Sequence, residues 1–209
     1  MTGCITEWIT ASSSLTLSVS ALYAASQLFR EHRAPAVGFF LLGLSSGFCT
    51  LPLPSSAYLT FIQGDLEWLS EVLAPPLVSF GFLWLSEDHA TAHILLIVSA
   101  LLPVLCDRLS ENEIMLMSRC LALSAFSCSL TVCLFTGNAL GALGSVALGL
   151  TQMVAPRIGV KALTPLVSPG ATMGLQMWLL KGSMTVGCWV SERALRNYLS
   201  ELREWDSPF

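Results

Sequence analysis

Residues 86–113 read SEDHATAHILLIVSALLPVLCDRLSENE, an apolar stretch between two clusters of charged residues. The apolar part, 90–106, contains no Asp, Glu, Lys or Arg. It approaches the length of roughly 20 residues that a helix needs to cross the hydrocarbon core of a bilayer. The run therefore predicts a transmembrane helix with a polar loop at each end.

The same unit recurs along the 209-residue chain. Apolar stretches of comparable length lie at about 9–29, 34–51, 66–85, 90–106, 114–135, 139–154 and 170–190. Pro165 and Pro169 precede the last of them and favour a re-entrant turn as an alternative, so six to eight spans are possible. The sequence thus predicts an all-α polytopic transmembrane helical bundle of about seven spans.

Prolines mark two irregular places in this series. Pro52 and Pro54 end the second stretch, and residues 55–64 are predicted as a loop. Pro75 and Pro76 lie inside the third stretch, where the loss of two backbone donors predicts a kink or a break.

Composition excludes several classes of protein. Apolar residues make up 54% of the chain and charged residues 11%, too little charge to cover the surface of a soluble domain. The net charge is −4 and no Lys/Arg-rich run occurs, so nucleic acid is not an expected partner. The seven cysteines form no CxxC pair, and we expect no disulfide framework.

The C-terminal residues have a different pattern. Apolar residues recur at helical spacing from 195 onward, with charged residues between them, and the apolar set is Leu195, Tyr198, Leu199, Leu202 and Trp205. Such a helix is predicted to lie along the membrane surface. The chain is therefore divided into a multi-span domain, 1–190, and an amphipathic cytoplasmic tail, 191–209.

Charge around the first stretch predicts the orientation. No Lys or Arg precedes it, whereas Arg30 and Arg33 follow it directly. This asymmetry favours an outside or lumenal N-terminus and, with seven spans, a cytoplasmic C-terminus. We expect a multi-pass protein of the endomembrane system.

A pair of histidines opens the fourth stretch. His89 and His93 are four residues apart and share one face of a helix, and Glu87 and Asp88 precede them. In the predicted topology His32 lies on the same side of the membrane. The three histidines could hold a zinc ion that activates water for a membrane lipid hydrolase. The competing interpretation is that these residues cap and solvate the start of a helix.

Two charged residues fall inside predicted spans. Glu71 lies in the third stretch and Lys181 in the seventh. Intramembrane charges often mark the path of a substrate or proton, so the pair suggests a small transporter. The competing interpretation places Glu71 just inside the interface, with the Lys181 side chain reaching out to the headgroups.

Small residues recur in the sixth stretch. Gly137, Gly141, Ser145 and Gly149 are each four apart and predict a helix face that another helix approaches closely. Gly170 and Gly174 repeat the spacing in the seventh stretch and are a candidate partner face.

The leading functional hypothesis is non-enzymatic. The small-residue faces and the amphipathic tail suggest an accessory or assembly subunit that binds other membrane proteins within the lipid bilayer and uses no cofactor. The alternatives are the zinc-dependent hydrolase and the transporter. No P-loop or GxGxxG phosphate-binding loop is present.

Overall fold

The computed structural model describes residues 2–30, 33–50, 57–154 and 169–206. These residues form seven α-helices and no strand. The helices are α1 (Thr2–Leu28), α2 (Arg33–Phe48), α3 (Ala57–Leu85), α4 (His89–Leu105), α5 (Glu111–Phe135), α6 (Ala139–Val154) and α7 (Pro169–Asp206). A short 3₁₀ turn, Cys106–Arg108, links α4 to α5. The predicted all-α class is confirmed.

Six of the helices form a closed ring. In this ring α1 packs on α2, α2 on α3, α3 on α5, α5 on α6, α6 on α7, and α7 on α1. The fourth helix lies outside this ring against α3, with a smaller contact to α5. The ring encloses an interior to which every helix except α4 can contribute side chains.

Contacts between neighbours fix the direction of each helix. Gly43 lies against Leu22 and Gly47 against Ser18, so α1 and α2 run antiparallel. Ser14 contacts Lys181 and Ser20 contacts Thr185, so α1 and α7 run parallel. This is the relation expected of the first and last of seven helices that alternate in direction.

The apolar core fills one half of the ring, the half nearer to the C-terminal end of α1. Its largest fully buried side chains include Leu28, Phe39, Phe82 and Leu195, which come from α1, α2, α3 and α7. A second, smaller cluster joins α4 to α3 and α5 through Leu83, Leu95 and other apolar residues. The interior is therefore closed at this end by large apolar side chains.

The predicted loop at 55–64 is wrong, and of the kink or break predicted at Pro75 and Pro76, the break is wrong. The helix begins at Ala57, inside the predicted loop 55–64, and it continues through Pro75 and Pro76 without a break. The neighbouring helix explains the continuity. A Cβ atom on Gly38 of α2 would lie 3.3 Å from the carbonyl oxygen of Ala74, so α2 supports α3 closely where the prolines remove hydrogen bonds.

The separate surface helix predicted for the tail is also wrong. The predicted boundary at 190/191 falls inside α7, which is one helix from Pro169 to Asp206. Ala194 and Leu195 are fully buried, and the Asn138 side chain donates a hydrogen bond to the carbonyl oxygen of Ala194 at 3.4 Å. The apolar face of the tail is therefore used, at least in its first turns, to pack the bundle.

Two of the described helices are long and apolar enough to cross a membrane by themselves: Ile62–Leu85 within α3, and Asn112–Phe135 within α5. The apolar helices His89–Leu105 and Ala139–Gly149 are shorter. The count of about seven spans stays a prediction.

Candidate functional site

The middle of α3 carries a carboxylate beside a cavity. Glu71 is at the midpoint of the helix and lines a cavity of about 30 Å³, room for roughly two or three water molecules. Leu42 of α2, Leu148 of α6 and Met184 of α7 form other parts of the wall. The position follows from helical spacing, since Glu71 precedes the buried cavity residue Val78 by two turns and shares its face.

The middle of the bundle also holds a lysine. Lys181 is midway between Pro169, where α7 begins, and Ala194, at the level of the turn between α5 and α6. Its ammonium group donates a hydrogen bond to the hydroxyl of Ser14, which is fully buried near the midpoint of α1. The lysine side chain thus ends at another helix inside the bundle.

Serines tie the helices together at the same level. The Ser18 hydroxyl donates to the carbonyl oxygen of Gly43 at 2.8 Å, and the Ser70 hydroxyl donates to Ser45 Oγ at 2.9 Å. All four of the serines named so far in α1–α3 are buried, namely Ser14, Ser18, Ser45 and Ser70. We call these serines together with Glu71 and Lys181 the mid-bundle polar layer.

One of these serines lies in a sequence with a familiar spacing. Residues 43–47 read GLSSG, which has the GxSxG spacing of the α/β-hydrolase nucleophile elbow. That elbow requires a sharp turn between a strand and a helix. Here the run lies inside α2, and the Ser45 hydroxyl donates to the carbonyl oxygen of Leu42. The match therefore has no catalytic context.

The acid and the base predicted to share a path are thus in the same layer, but they do not form an ion pair with each other. The ion pair described in the structure joins Glu192 and Arg196 at 3.1 Å, whereas Lys181 bonds Ser14. Lys181 is half-buried and precedes the fully buried Cys188 by two turns, so it lies on an inward face of α7. Glu71 lines the cavity but is exposed.

The histidines lie at the opposite edge of α3, away from this layer. His89 and His93 are exposed, and their rings lie 4.2 and 5.7 Å from the ring of Trp84, measured between centroids. His93 Nδ1 is 2.6 Å from the carbonyl oxygen of His89. Within the described ranges no three His, Cys, Asp or Glu side chains are arranged to hold a metal. His32 lies outside the described residues, so the zinc site stays a prediction.

The competing interpretation of this segment, a helix cap, applies to Asp88. Its carboxylate accepts a hydrogen bond from the backbone N–H of Thr91 at 3.2 Å, at the start of α4. Hydrogen bonds from the Thr91 side chain and from the Thr91 backbone N–H lower the pKa of Asp88 below its ordinary value. The cap therefore stabilises the folded chain while Asp88 is ionised.

Asp88→Ala is expected to lower the Tm at pH 7 by a small amount, about 2–4 °C. Because the folded-state pKa of Asp88 is depressed, its contribution is present above the ordinary aspartate pKa of about 4 and is lost as the pH falls through the lower folded-state value. Thermal unfolding of the detergent-solubilised protein between pH 7 and pH 3 measures the difference. Asp88→Asn, which keeps a cap but cannot titrate, is the control. If the Tm difference between the wild type and Asp88→Ala does not shrink at low pH, the assignment of Asp88 as a titrating cap is contradicted.

The small residues of α6 lie against neighbouring helices of the same chain. A Cβ atom on Gly141 would be 2.6 Å from Cys133 Sγ, and one on Gly149 would be 2.5 Å from Phe126, both in α5. Ser145 is buried beside them and donates its hydroxyl to the carbonyl oxygen of Gly141. Gly137 differs from the prediction, because it lies in the turn before α6 with φ of +69°.

The contact between α6 and α7 uses other glycines. Gly144 lies against Ser191, and Gly187 lies against Leu148. The packing of Gly170 and Gly174 lies outside what the structure describes. The partner face at Gly170 and Gly174 therefore stays a prediction, and the described contact between α6 and α7 uses Gly144 and Gly187.

A buried carboxylate was missed in the sequence. The Glu192 residue is 3% exposed and accepts from Arg196, while the hydroxyl of the neighbouring Ser191 has no hydrogen-bond partner among the described residues. Because all residues after 190 were predicted to form a surface tail, the burial of Glu192 was not expected. Glu192 and Arg196 have the i, i+4 spacing of a helical ion pair, which was the available signal.

Many large apolar side chains are exposed on the outer faces of the bundle, while several serine hydroxyls and Glu192 are buried inside it. Ile94 and Leu116 are each 64% exposed, and Phe135 is 89% exposed. A helical bundle with this distribution is a membrane protein.

Known proteins agree with this class. The chain is 30% identical over 149 residues to transmembrane protein 276 of Mus musculus and 30% identical over 148 residues to that of Homo sapiens. These alignments cover 71% of this chain and 76% of each relative. The Bos taurus protein is 29% identical over 192 residues, covering 90% of this chain and 92% of the relative. The chain belongs to the transmembrane protein 276 family. No family model and no solved structure matches it.

Proposed function

We propose that this chain is a multi-pass membrane protein of about seven spans that moves a small solute or ion, with Glu71 and Lys181 on its path. The observation that carries the proposal is the Glu71 carboxylate, which lines a cavity between four helices at the middle of α3. Substrate and coupling-ion sites of transporters commonly lie near the bilayer midplane between helices.

Helix direction and length support the multi-pass topology. Successive helices alternate in direction, as spans joined by short loops must. The helices α2, α4 and α6 have 16, 17 and 16 residues. At 1.5 Å per residue they are about 24–26 Å long, a little less than the hydrocarbon core of about 30 Å. Spans of this length are accommodated by local thinning of the bilayer.

The polar interior supports transport over a purely structural role. Charged side chains in a membrane are costly and tend to mark functional paths. Here an acid and a base lie in one layer with four buried serine hydroxyls. The half of the ring beyond this layer is closed by Phe39, Phe82 and Leu195. A polar site closed at one end is the arrangement of a protein that admits its ligand from one side at a time.

The features that first suggested an accessory subunit are largely used within the chain. Gly141, Ser145 and Gly149 pack α6 on α5, and the first turns after residue 190 pack in the core. They therefore give less support to a surface for other proteins than they did in the sequence.

Glu71→Gln is expected to abolish flux in sealed proteoliposomes made from the purified chain. The amide keeps the size of the side chain but removes its charge. Flux of protons is followed with a trapped pH-sensitive dye under an imposed potential, and flux of small solutes is followed with radiolabelled compounds. Glu67→Gln, an exposed residue one turn away on α3, is the matched control. Equal flux in Glu71→Gln and wild-type vesicles, or none in either, would count against the proposal.

An accessory role remains the second candidate because α4 is peripheral. This short helix lies outside the ring, and its outward stripe is aliphatic: Ile94, Ile97, Val98, Leu101 and Val104 are all at least 48% exposed. Association with another membrane protein is one way for a short span to relieve mismatch with the bilayer.

A photo-crosslinking amino acid tests this second candidate. Placed at Ile97 in cells, it should give a discrete protein adduct, whereas the same group at Leu116 on the outer face of α5 should crosslink mainly lipid. Lipid adducts alone at both positions would remove the support for a partner at α4.

A further inference from the structure

We propose that the end of the bundle at the turn between α1 and α2 binds the headgroup of an anionic phospholipid, with its phosphate held by arginines of three helices. These residues are four of the ten basic residues of the chain, and all four are exposed: Arg30, Arg33, Arg193 and Arg196. We call them the arginine cluster. The inference goes beyond the proposed transport and does not depend on it.

The packing of α7 on α1 brings arginines of the two helices to one level. The Ser20 hydroxyl donates to the carbonyl oxygen of Thr185 at 3.4 Å, and the two helices run parallel. Arg30 comes ten residues after Ser20, or about 15 Å further along the chain. Arg193 comes eight residues after Thr185, or about 12 Å along α7 in the same direction. The two arginines are therefore at nearly the same height in the bundle.

The core shows that α1 and α7 are still together at this height. Leu28 and Leu195 are fully buried members of the same apolar cluster. Arg30 comes two residues after Leu28, and Arg196 directly follows Leu195. Arg33 begins α2, three residues from Arg30 along the chain. The arginine cluster thus lies at one end of the bundle, where α1, α2 and α7 meet.

Positive charge exceeds negative charge at this place. Segments 30–33 and 192–196 contain the four arginines and two acids, Glu31 and Glu192. Among the described residues, the one ion pair here joins Glu192 to Arg196 at 3.1 Å. The acidic turn before α4 lies on the opposite side of the ring, because α4 packs on α3 and α5. An anion is therefore attracted to the edge formed by α1 and α7.

The buried carboxylate positions one of the arginines. Glu192 is 3% exposed and accepts a contact from Nη1 of Arg196, whose side chain is 52% exposed. A guanidinium group has five N–H donors, so this contact fixes the group and leaves donors for another acceptor. Its planar fork matches the oxygens of a phosphate in pairs.

The adjoining surface favours a lipid over free phosphate as the source of this anion. One or two turns before the arginines, the outer faces of α1 and α7 carry Tyr23, Val186 and Trp189, each at least 50% exposed. Tyr and Trp are typical of the level where headgroups meet acyl chains. A lipid with its phosphate at the arginine cluster has its acyl chains along these side chains. In the predicted topology this end is cytoplasmic, and the cytoplasmic leaflet carries anionic lipids.

Calorimetric titration of the full chain in a neutral detergent tests the inference with short-chain lipids. Dioctanoyl phosphatidylserine and dioctanoyl phosphatidylglycerol should each bind with a Kd at least about 10-fold lower than that of dioctanoyl phosphatidylcholine, whose headgroup has no net charge. Added salt should weaken the binding of both anionic lipids. At saturation each should raise the Tm by several degrees, because a ligand that binds only the folded state stabilises it.

Variants locate the site. Arg30→Gln and Arg193→Gln should each raise the Kd of phosphatidylserine about 5-fold, and the double variant should raise it by more than about 10-fold. Arg108→Gln is the matched control, since it removes an exposed arginine at the other end of the bundle and should leave the Kd unchanged. Arg196 is kept in every variant, because its loss would leave the buried Glu192 carboxylate unpaired.

Each variant must have the wild-type Tm without lipid, and Arg33→Gln replaces one that does not. Glu71→Gln should bind phosphatidylserine as the wild type does, which separates this inference from the proposed transport.

Three results would overturn the inference. Phosphatidylcholine that binds as tightly as phosphatidylserine would mean an ordinary lipid contact without selection for charge. Inorganic phosphate that raises the Tm as much as phosphatidylserine would mean a site for a free anion. Phosphatidylserine binding that is unchanged in the double variant, or that Arg108→Gln weakens equally, would place the lipid elsewhere on the bundle.

Discussion

Gly144→Leu is expected to prevent stable folding of the chain. Gly144 packs directly on α7, and even a Cβ atom there would lie 3.0 Å from the backbone nitrogen and 3.2 Å from the Cα of Ser191. Backbone atoms of a packed helix cannot turn aside as the end of a side chain can. A leucine must therefore push α7 away from α6 along a contact that also includes Gly187 and Leu148.

The expected loss is at least about 3 kcal/mol, the upper end of the usual cost of overpacking. In a protein of marginal stability this loss reduces the yield of monodisperse protein severely. Size-exclusion chromatography after detergent extraction, followed by thermal unfolding, measures it.

Gly64→Leu is the matched control for this prediction. Gly64 is also inside a helix, α3, but it is exposed and a Cβ atom there meets nothing within 4 Å. Leucine is a better helix former than glycine, so this variant is expected to fold as well as the wild type or slightly better. A wild-type yield and Tm for Gly144→Leu would show that α6 and α7 do not pack as described.

The helices were predictable from the sequence because each is an apolar stretch between charged loops. The quoted run 86–113 illustrates this, since α4 and the start of α5 lie where the pattern of charge puts them. Errors occurred where packing overrides local preference. Pro75 and Pro76 disfavour a helix locally, yet α2 holds that segment closely through Gly38. The tail looks like a surface helix by its pattern, yet Leu195 is core.

The site was predictable in its residue types but not in its contacts. Glu71 and Lys181 were recognisable because charge is rare inside apolar stretches. The contact of Lys181 with Ser14 depends on how α7 lies against α1, and residues so far apart in the chain carry no local signal of that register. The contacts of the serines in α1 and α2 could not be predicted from the sequence for the same reason. A hydroxyl in a helix commonly bonds its own backbone, and only the packed structure distinguishes Ser18, which reaches Gly43, from Ser45, which bonds Leu42 in its own helix.

The ends of α1 and α7 are expected to face opposite sides of the membrane. Ser14 contacts Lys181 and Ser20 contacts Thr185. The later residue of α1 thus contacts the later residue of α7, which makes the two helices parallel. Parallel first and last helices require an odd number of crossings if each helix crosses once. Arg30 and Arg33, which follow α1, predict that this end of the helix is cytoplasmic and that its N-terminal end is outside or lumenal.

Epitope tags measure this topology in selectively permeabilised cells. An N-terminal tag and a tag inserted in the turn at Arg108 should be protected from antibody until the inner membranes are opened. A C-terminal tag and a tag inserted in the turn at Glu87 should be reached once the plasma membrane is opened. Both inserted positions are exposed turns between helices, so insertion there disturbs little packing. If the two ends lie on opposite sides but the N-terminus is cytoplasmic, only the argument from the charges is contradicted. Two ends on the same side would mean an even number of crossings, and the mid-bundle polar layer would then not lie at the midplane of a seven-span bundle.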